Sequence, residues 1–369
     1  MLTTRAAVVE APGAPFQVQD VTLDGPRPGE VLVEMVAAGL CHTDLGAQLG
    51  GIPFPLPGIL GHEGAGVVRE VGEGVTRVEP GDHVLLSYIS CGRCGNCRGG
   101  HPAYCVTWVP DNLLMGVRAD GSRTVHRDGT PIGGRFFGQS SFSAHALADE
   151  RAVVKVDADA PLELLAALVC GAQTGFGTVW NVLAPRPGAT LAIFGTGAVG
   201  LSALLAARQL PLAMIVAVDR VPERLQLARE LGATHTVDTR RDNAAEVLAE
   251  LTGGRGLDHA VDTTAVPALV RTAVDALGVG GRCAVVGAPP AGTEVSLDVQ
   301  GLLPGKQVVG VTLGDGDPET LLPQLVALYQ QGELPLERFV KHYPLAELNA
   351  AAADMHEGRT IKPVITFTN

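Results

Sequence analysis

From residue 190 the chain repeats one hydrophobic rhythm. Short, mostly apolar runs at 191–194, 214–218, 257–261, 282–286 and 307–311 read as strands with both faces buried. Between them lie stretches with helical spacing at 198–209, 222–231, 244–251 and 267–277. Strand–helix alternation of this kind predicts a doubly wound parallel sheet. The first half differs. Residues 31–36 alternate apolar and polar and read as a strand, 66–71 as another, and Pro80-Gly-Asp-His-Val84 as a turn feeding a third. Residues 52–58 carry three prolines, which lack the N–H that regular elements need, and read as a loop. Residues 161–168 predict a short helix with proline in its first turn. After about Gly314, one further helix and a last strand at 364–368 are expected, the strand returning to the first domain. The expected division is 1–171 with 313–369, and 172–312.

Six of the seven cysteines then change the picture from fold to chemistry. Cys91, Cys94, Cys97 and Cys105 form C-x2-C-x2-C-x7-C, which suits one tetrahedral zinc with no open position, hence a structural site. Cys41 and Cys170 lie far apart in sequence, with His62 between them. Two cysteines and one histidine make a zinc site of three protein ligands that leaves a fourth position open to a substrate. Taken singly, Cys170 and His62 read as ordinary packing groups; it is their company that makes them candidates. Cys283 has no partner and reads as a core thiol.

Gly195-Thr196-Gly197-Ala198-Val199-Gly200 fits G-x-G-x-x-G between a predicted strand and a predicted helix, the context in which that pattern holds a dinucleotide. The first glycine allows the tight turn, the second lets the backbone approach a pyrophosphate, and the third lets helix and strand pack closely. The helix start offers free N–H groups to the phosphates. Asp219, 19 residues past Gly200, ends the next strand, where a carboxylate binds ribose hydroxyls and repels a 2′-phosphate. That favours NAD over NADP, a preference that the adjacent Arg220 softens.

Size and charge bound the rest. A chain of 369 residues suggests about two domains, and a formal charge of −12 disfavours nucleic acid and anionic membrane as partners. The first ten residues carry no secretory apolar segment, so a cytoplasmic location with reduced thiols is expected, which disfavours disulfides in the cysteine cluster. Residues 191–218 are long and apolar enough to span a bilayer, but three glycines, Arg208, Gln209 and Pro211 interrupt them.

At these residues the chain resembles the zinc-containing medium-chain alcohol dehydrogenases, for which a Cys₂His zinc with an open position is an established precedent. The resemblance covers essentially the whole chain and rests on Cys41-His-Thr-Asp44, Gly61-His-Glu-Gly-Ala-Gly66, the four-cysteine lobe, and the glycine motif with Asp219. It implies an α/β architecture: a GroES-like β-barrel catalytic domain and a Rossmann domain, with the active site in the cleft. It implies two zinc ions per chain and NAD. Cys41, His62 and Cys170 would bind catalytic zinc, and Glu63 would exchange onto it. Asp44 would orient His62, and Thr43 would take the proton from the substrate hydroxyl. Cofactor contacts would include His42, Thr174, Arg220, Arg224 and Lys362, the last at a position where relatives place a pyrophosphate-binding arginine; a solvated lysine is the plain alternative.

The segments Phe136-Phe-Gly-Gln-Ser-Ser-Phe142 and Cys170-Gly-Ala-Gln-Thr-Gly175 are similar to the aryl-alcohol dehydrogenase branch, whose relatives also take allylic terpenoid alcohols. Phe54, Trp108 and Leu114 are candidate apolar walls. Two departures stand out: Gly46 replaces the histidine that ends the proton relay in liver-type enzymes, and His42 replaces an arginine that some relatives use on the pyrophosphate. The leading expectation is oxidation of primary aromatic or allylic alcohols. Alternatives are S-(hydroxymethyl)glutathione dehydrogenase, with Arg118 and Arg123 as anion-holding groups, an aliphatic alcohol dehydrogenase, and a non-catalytic nucleotide-binding structural protein, against which the retained ligands argue. Gly138-Gln-Ser-Ser-Phe142 fails the serine-hydrolase pattern G-x-S-x-G. The expected partners are a small alcohol or aldehyde and further copies of the chain, as a homodimer or homotetramer joined at Rossmann sheet edges.

Overall fold

The computed structural model describes residues 1–367, in two compact units, Met1–Cys170 with Asp317–Asn369, and Gly171–Gly316. The second unit is built on six parallel strands. In sheet order they are His235–Asp238, Met214–Asp219, Thr190–Phe194, Leu257–Asp262, Leu277–Val285 and Gln307–Gly310. Numbered along this unit, the order is 3-2-1-4-5-6, the doubly wound arrangement whose ligand crevice opens where strands 1 and 4 part. Its strands are apolar because helices cover them: Ala192, Phe194, Val216, Val218 and Ala260 belong to one buried core with Leu248, Ala273 and Val274.

Several local expectations change. The helix beginning at Pro267 ends at Asp275, and Leu277 already starts a strand, so that strand begins five residues before the expected 282. His235–Asp238 is a strand that the sequence reading passed over, since a four-residue edge strand with a histidine and an aspartate lacks an apolar run. Residues 161–168 form only one α-turn, Leu162–Leu165, followed by a 3-10 turn.

The first unit is mostly antiparallel, its one parallel strand pair among the described residues being Val340–Pro344 with Lys362–Thr366. Leu2–Val9 pairs with Phe16–Leu23 in a five-stranded sheet, and Glu30–Gly39 is the spine of a seven-stranded one. Along one side of that spine runs Gly64–Val71. Along the other, His145–Asp149 covers residues 30–34 and Lys362–Thr366 covers residues 37–39. Alternate spine residues Val31, Val33 and Met35 enter a core with Val68, Val84, Leu86, Ala146 and Ala148. The last strand starts two residues earlier than expected, and Thr368 lies outside the described residues. It is preceded by two substantial helices rather than one, Pro318–Gln330 and Leu348–His356. Among the described residues no single helix is long and apolar enough to cross a membrane.

Candidate functional site

Cys41 leaves the spine strand and caps the helix His42–Gln48 with an extended backbone. Asp44, three residues into the turn, is fully buried and satisfies three donors. Its Oδ2 accepts from Cys41 N at 3.0 Å, and its Oδ1 accepts from Gly61 N at 3.1 Å and pairs with His62 Nδ1 at 2.9 Å. One carboxylate therefore closes a capping box and orients the imidazole. With Nδ1 facing Asp44, the neutral His62 ring would offer Nε2 to a metal, and that buried atom has no hydrogen-bond partner within the protein. Gly61 sits at φ +91°, and a Cβ there would meet Phe142 N at 2.5 Å, so the turn into His62 requires glycine.

Cys41, His62, Glu63 and Cys170 bring one donor atom each within 4.8 Å of one another. The Cys41 and Cys170 sulfurs are 4.0 Å apart, near the ~3.8 Å that two 2.3 Å zinc–sulfur bonds at a tetrahedral angle require. All four belong to the first unit. Lys362 is buried beside them, its Nζ 2.6 Å from Glu63 Oε1 and 3.2 Å from Leu40 O. Gly39 makes the room, since a Cβ there would overlap the Glu63 carboxylate. The ammonium of Lys362 is thus engaged by Glu63 and Leu40 and is not the solvated lysine of the plain alternative.

The electrostatics are those of crowded anionic donors. Hydrogen bonding to Cys170 holds the Cys41 thiol well below its ordinary range, and the same contact, with burial, pushes Cys170 well above it. Burial pushes Glu63 up to about 7 against the pull of Lys362. Burial opposes a charged His62, but Asp44 outweighs it and holds the ring's pKa well above 6.5. Burial likewise opposes the Lys362 ammonium, and Glu63 outweighs it. A divalent cation among these donors would supply positive charge to offset the thiolates and the Glu63 carboxylate. Two thiolates, one oriented imidazole nitrogen and a carboxylate held aside fit zinc. Thr43 Oγ1 lies 3.7 Å from the Cys41 sulfur, while His42 is exposed on the helix's first turn.

Aromatic rings wall this cluster. Phe137 stacks on His62 at 4.5 Å, Phe136 meets the same ring edge-on at 5.8 Å, Trp108 meets Phe137 at 5.5 Å, and Phe54 meets Phe136 at 5.1 Å. Of the expected walls, Phe54 and Trp108 belong to this chain of rings, and Leu114 is half-buried on the turn Pro110–Leu114. The two phenylalanines were visible as a family segment, but their contact with His62 was not foreseen. Nor was Gln139, whose buried carboxamide reaches His62, Gly64, Leu86 and Ser87. A lone amide between Gly138 and Ser140 was the available signal.

The second cysteine group is equally compact, with Cys91, Cys94, Cys97 and Cys105 sulfurs all within 4.8 Å. Cys91 and Cys97 are 3.9 Å apart and Cys94 and Cys97 are 3.4 Å apart, and none forms a disulfide. Backbone N–H groups of Cys91, Cys94 and Cys97 point at the sulfurs of Cys105, Cys91 and Cys94, which favours thiolates. Four thiolates with no space for a substrate fit a closed zinc.

In the second unit, the glycine loop joins strand Thr190–Phe194 to helix Ala198–Arg208. Gly195 is at φ +89° against Thr263, and a Cβ at Gly200 would overlap the Gly195 carbonyl oxygen. A Cβ at Gly197 would meet nothing within 4 Å, the space that a backbone must leave for phosphate. Asp219 stands beside this loop. Its Oδ2 accepts from Thr196 N and Oγ1 at 2.6 and 2.7 Å, and its Oδ1 from Arg220 N and Val221 N at 2.7 and 3.0 Å. Val199 lies in the first turn of the helix, the Arg220 side chain is exposed, Arg224 is half-buried on Pro222–Glu230, and Thr174 is buried within Gly171–Gly177.

Arg118 is corrected as an anion-holding group. It is buried, paired twice with Glu30 at 2.8 and 3.0 Å and once with Asp24 at 2.7 Å, and Arg135 reaches Glu30 as well. Arg123 donates to the Gly116 carbonyl at 3.3 Å. A side chain that neutralises two carboxylates inside the protein has no charge to offer a ligand.

Residues 27–158 match the model of the alcohol dehydrogenase GroES-like domain, and residues 198–330 that of the zinc-binding dehydrogenases. Geraniol dehydrogenase of Castellaniella defragrans is 40% identical over 368 residues, covering 99% of this chain and 98% of that protein. S-(hydroxymethyl)glutathione dehydrogenase of Escherichia coli is 36% identical over 374 residues, covering 99% and 100%. Benzyl alcohol dehydrogenase of Acinetobacter calcoaceticus superposes with a TM-score of 0.95 at 43% identity, covering 100% of both chains.

Proposed function

We propose that this chain, which belongs to the zinc-binding medium-chain alcohol dehydrogenases and shares their zinc and NAD, oxidises primary aromatic or allylic alcohols to aldehydes. The observation that carries the reading is the aromatic wall against His62, with Phe137 stacked on its ring at 4.5 Å. Benzyl alcohol exceeds ethanol by about 100 Å² of apolar surface, and burying that gains ~2.5 kcal/mol, roughly 70-fold in kcat/KM. The likeness to a geraniol and a benzyl alcohol dehydrogenase supports the same class.

In this reading Cys41, His62 and Cys170 hold the catalytic zinc. Bound there, zinc would lower the pKa of the substrate hydroxyl, with NAD as the hydride acceptor. Asp44 fixes the His62 tautomer by holding Nδ1 at 2.9 Å. Lys362 draws Glu63 aside by its ion pair. Thr43 would accept the hydroxyl proton and pass its own outward, and Gly46 puts no imidazole in line to receive it, so the proton would leave through ribose and water or through another base. Cys91, Cys94, Cys97 and Cys105 hold the structural zinc, which requires a reducing compartment and so suits the cytoplasm. The exposed apolar residues Val279, Val299, Leu303 and Val308 on and near the sheet edge support assembly into a homodimer or homotetramer. A monomer by light scattering at micromolar concentration would remove that part.

The deciding experiment compares initial rates of NADH formation with benzyl alcohol, geraniol, ethanol and S-(hydroxymethyl)glutathione. The first two should lead ethanol by at least about 50-fold in kcat/KM. Parity with ethanol, or a lead for the glutathione adduct, would overturn the aromatic-or-allylic reading.

A further inference from the structure

One buried amide lies at the metal cluster without being a ligand. Gln139 Nε2 donates to the carbonyls of His62 at 3.0 Å, Leu86 at 2.9 Å and Ser87 at 2.7 Å, and Oε1 accepts from Gly64 N at 3.0 Å. The His62 carbonyl and the Gly64 N–H belong to the peptide groups on either side of Glu63. A single planar group therefore grips the backbone on both flanks of Glu63 and ties it to the end of strand His83–Leu86. The approach is close, since a Cβ on Gly64 would stand 3.0 Å from the Gln139 amide oxygen.

The chain adopts a strained path to deliver this amide. Arg135, Phe137, Gly138 and Ser140 have φ values of +64°, +52°, +73° and +56°. Three of these are not glycine, and such conformations persist where the surroundings enforce them. Arg135 is anchored to Glu30, and Ser140 Oγ donates to Ile59 O at 2.6 Å. The same segment lays Phe137 on the His62 ring. It thus meets His62 twice, through its ring and through its carbonyl.

We propose that Gln139 is a positioning residue for the zinc centre, setting through the two peptide groups around Glu63 where His62 and Glu63 point. The proposal rests on the reading that Cys41, His62 and Cys170 hold zinc. Rotation of either peptide group would swing both side chains away from the sulfurs, and a saturated amide resists it more than water would. Gln139→Glu keeps the shape but turns the donor into an acceptor facing three carbonyls.

The test is zinc release from the purified holoenzyme to a chromophoric chelator, with iodoacetamide mapping to identify which cysteines lose protection. The wild-type chain should hold two zinc ions. In Gln139→Glu, release from Cys41 and Cys170 should quicken about 10- to 100-fold while the four-cysteine lobe keeps its wild-type rate. Gln139→Asn, which keeps the amide on a shorter stem and serves if the first variant does not fold, should give a smaller acceleration at the same two cysteines. Unchanged release in either folded variant, or equal acceleration at both sites, would overturn the positioning role alone. A wild-type chain with zinc only in the lobe would overturn the metal reading, and the proposal with it.

Discussion

Replacing Asp44 by asparagine probes the point where fold and metal chemistry meet. The two carboxylate oxygens serve three donors, with Oδ1 on Gly61 N and His62 Nδ1 and Oδ2 on Cys41 N. Asparagine is the same size but has one oxygen. The less costly placement keeps that oxygen on Gly61 and His62 and sets the new NH₂ against the Cys41 N–H, donor to donor. One charge-assisted bond is lost, and one buried N–H is left unpaired where Asp44 is fully enclosed. That costs about 2 kcal/mol, which as a loss of zinc affinity is ~30-fold. The same lost bond opens the capping box, and in a thermal melt it should read as at least ~2 to 4 °C in Tm for a unit of this size. The assay is zinc competition against a chelator of known affinity, with a parallel thermal melt. The weakening should fall on the Cys41–His62–Cys170 zinc alone. Zinc affinity there within about 2-fold of wild type, or an equal loss from the four-cysteine lobe, would refute the claim that Asp44 orients the ligands.

Three further outcomes follow from the geometry. Cys97→Ser should lower Tm and solubility while leaving the initial rate of folded, catalytic-zinc-loaded protein largely intact; complete loss of that rate would show that the lobe does more than brace a loop. Gly197→Ala should fold normally, because its Cβ meets nothing within 4 Å, yet bind NAD at least about 10-fold more weakly, whereas Gly200→Ala should lose stability as well, through overlap with the Gly195 carbonyl. NAD titrations paired with unfolding curves separate the two. Acid stability turns on Glu30: burial opposes its charge, but Arg118, the Arg27 N–H and Arg135 outweigh it and hold its pKa below the ordinary 4.5. A lowered carboxylate pKa stabilises above about pH 4.5 and ceases to do so as pH falls through the folded value. Glu30→Gln should therefore cost on the order of 3 kcal/mol at pH 7, and its deficit against wild type should shrink below about pH 4; a deficit independent of pH would contradict this.

Much of the second unit was legible because its signals are local. Apolar runs and helical spacing repeat within windows of a dozen residues, and each glycine of the nucleotide loop acts on neighbours a few positions away, as Gly200 does against Gly195. The cysteine lobe is local in the same sense, since all its ligands lie within 15 residues. The meeting of Cys41, His62 and Cys170 was expected from residue type and family resemblance, but no local pattern carried it. Cys41 and Cys170 are 129 positions apart, and only packing sets their sulfurs at 4.0 Å.

The remaining decisions belong to tertiary structure because they depend on what a charged or polar group finds once it is buried. Lys362 lies 299 positions from Glu63, and the pairing of its strand with residues 37–39 seats its ammonium on that carboxylate. Arg118 had the composition of a ligand-binding arginine, and the fold closed it onto Glu30 and Asp24 instead. Gln139 carries no periodicity and no motif chemistry. Its role exists only because a backbone of unusual φ angles carries one amide to four partners from two distant stretches of chain. Sequence alone determined the parallel sheet, the glycine loop and the inventory of zinc donors, since these follow from short-range pattern and residue chemistry. Which donors converge, which charges are neutralised and which groups hold the ligands in place were decided by long-range packing, where burial makes every polar group find a partner.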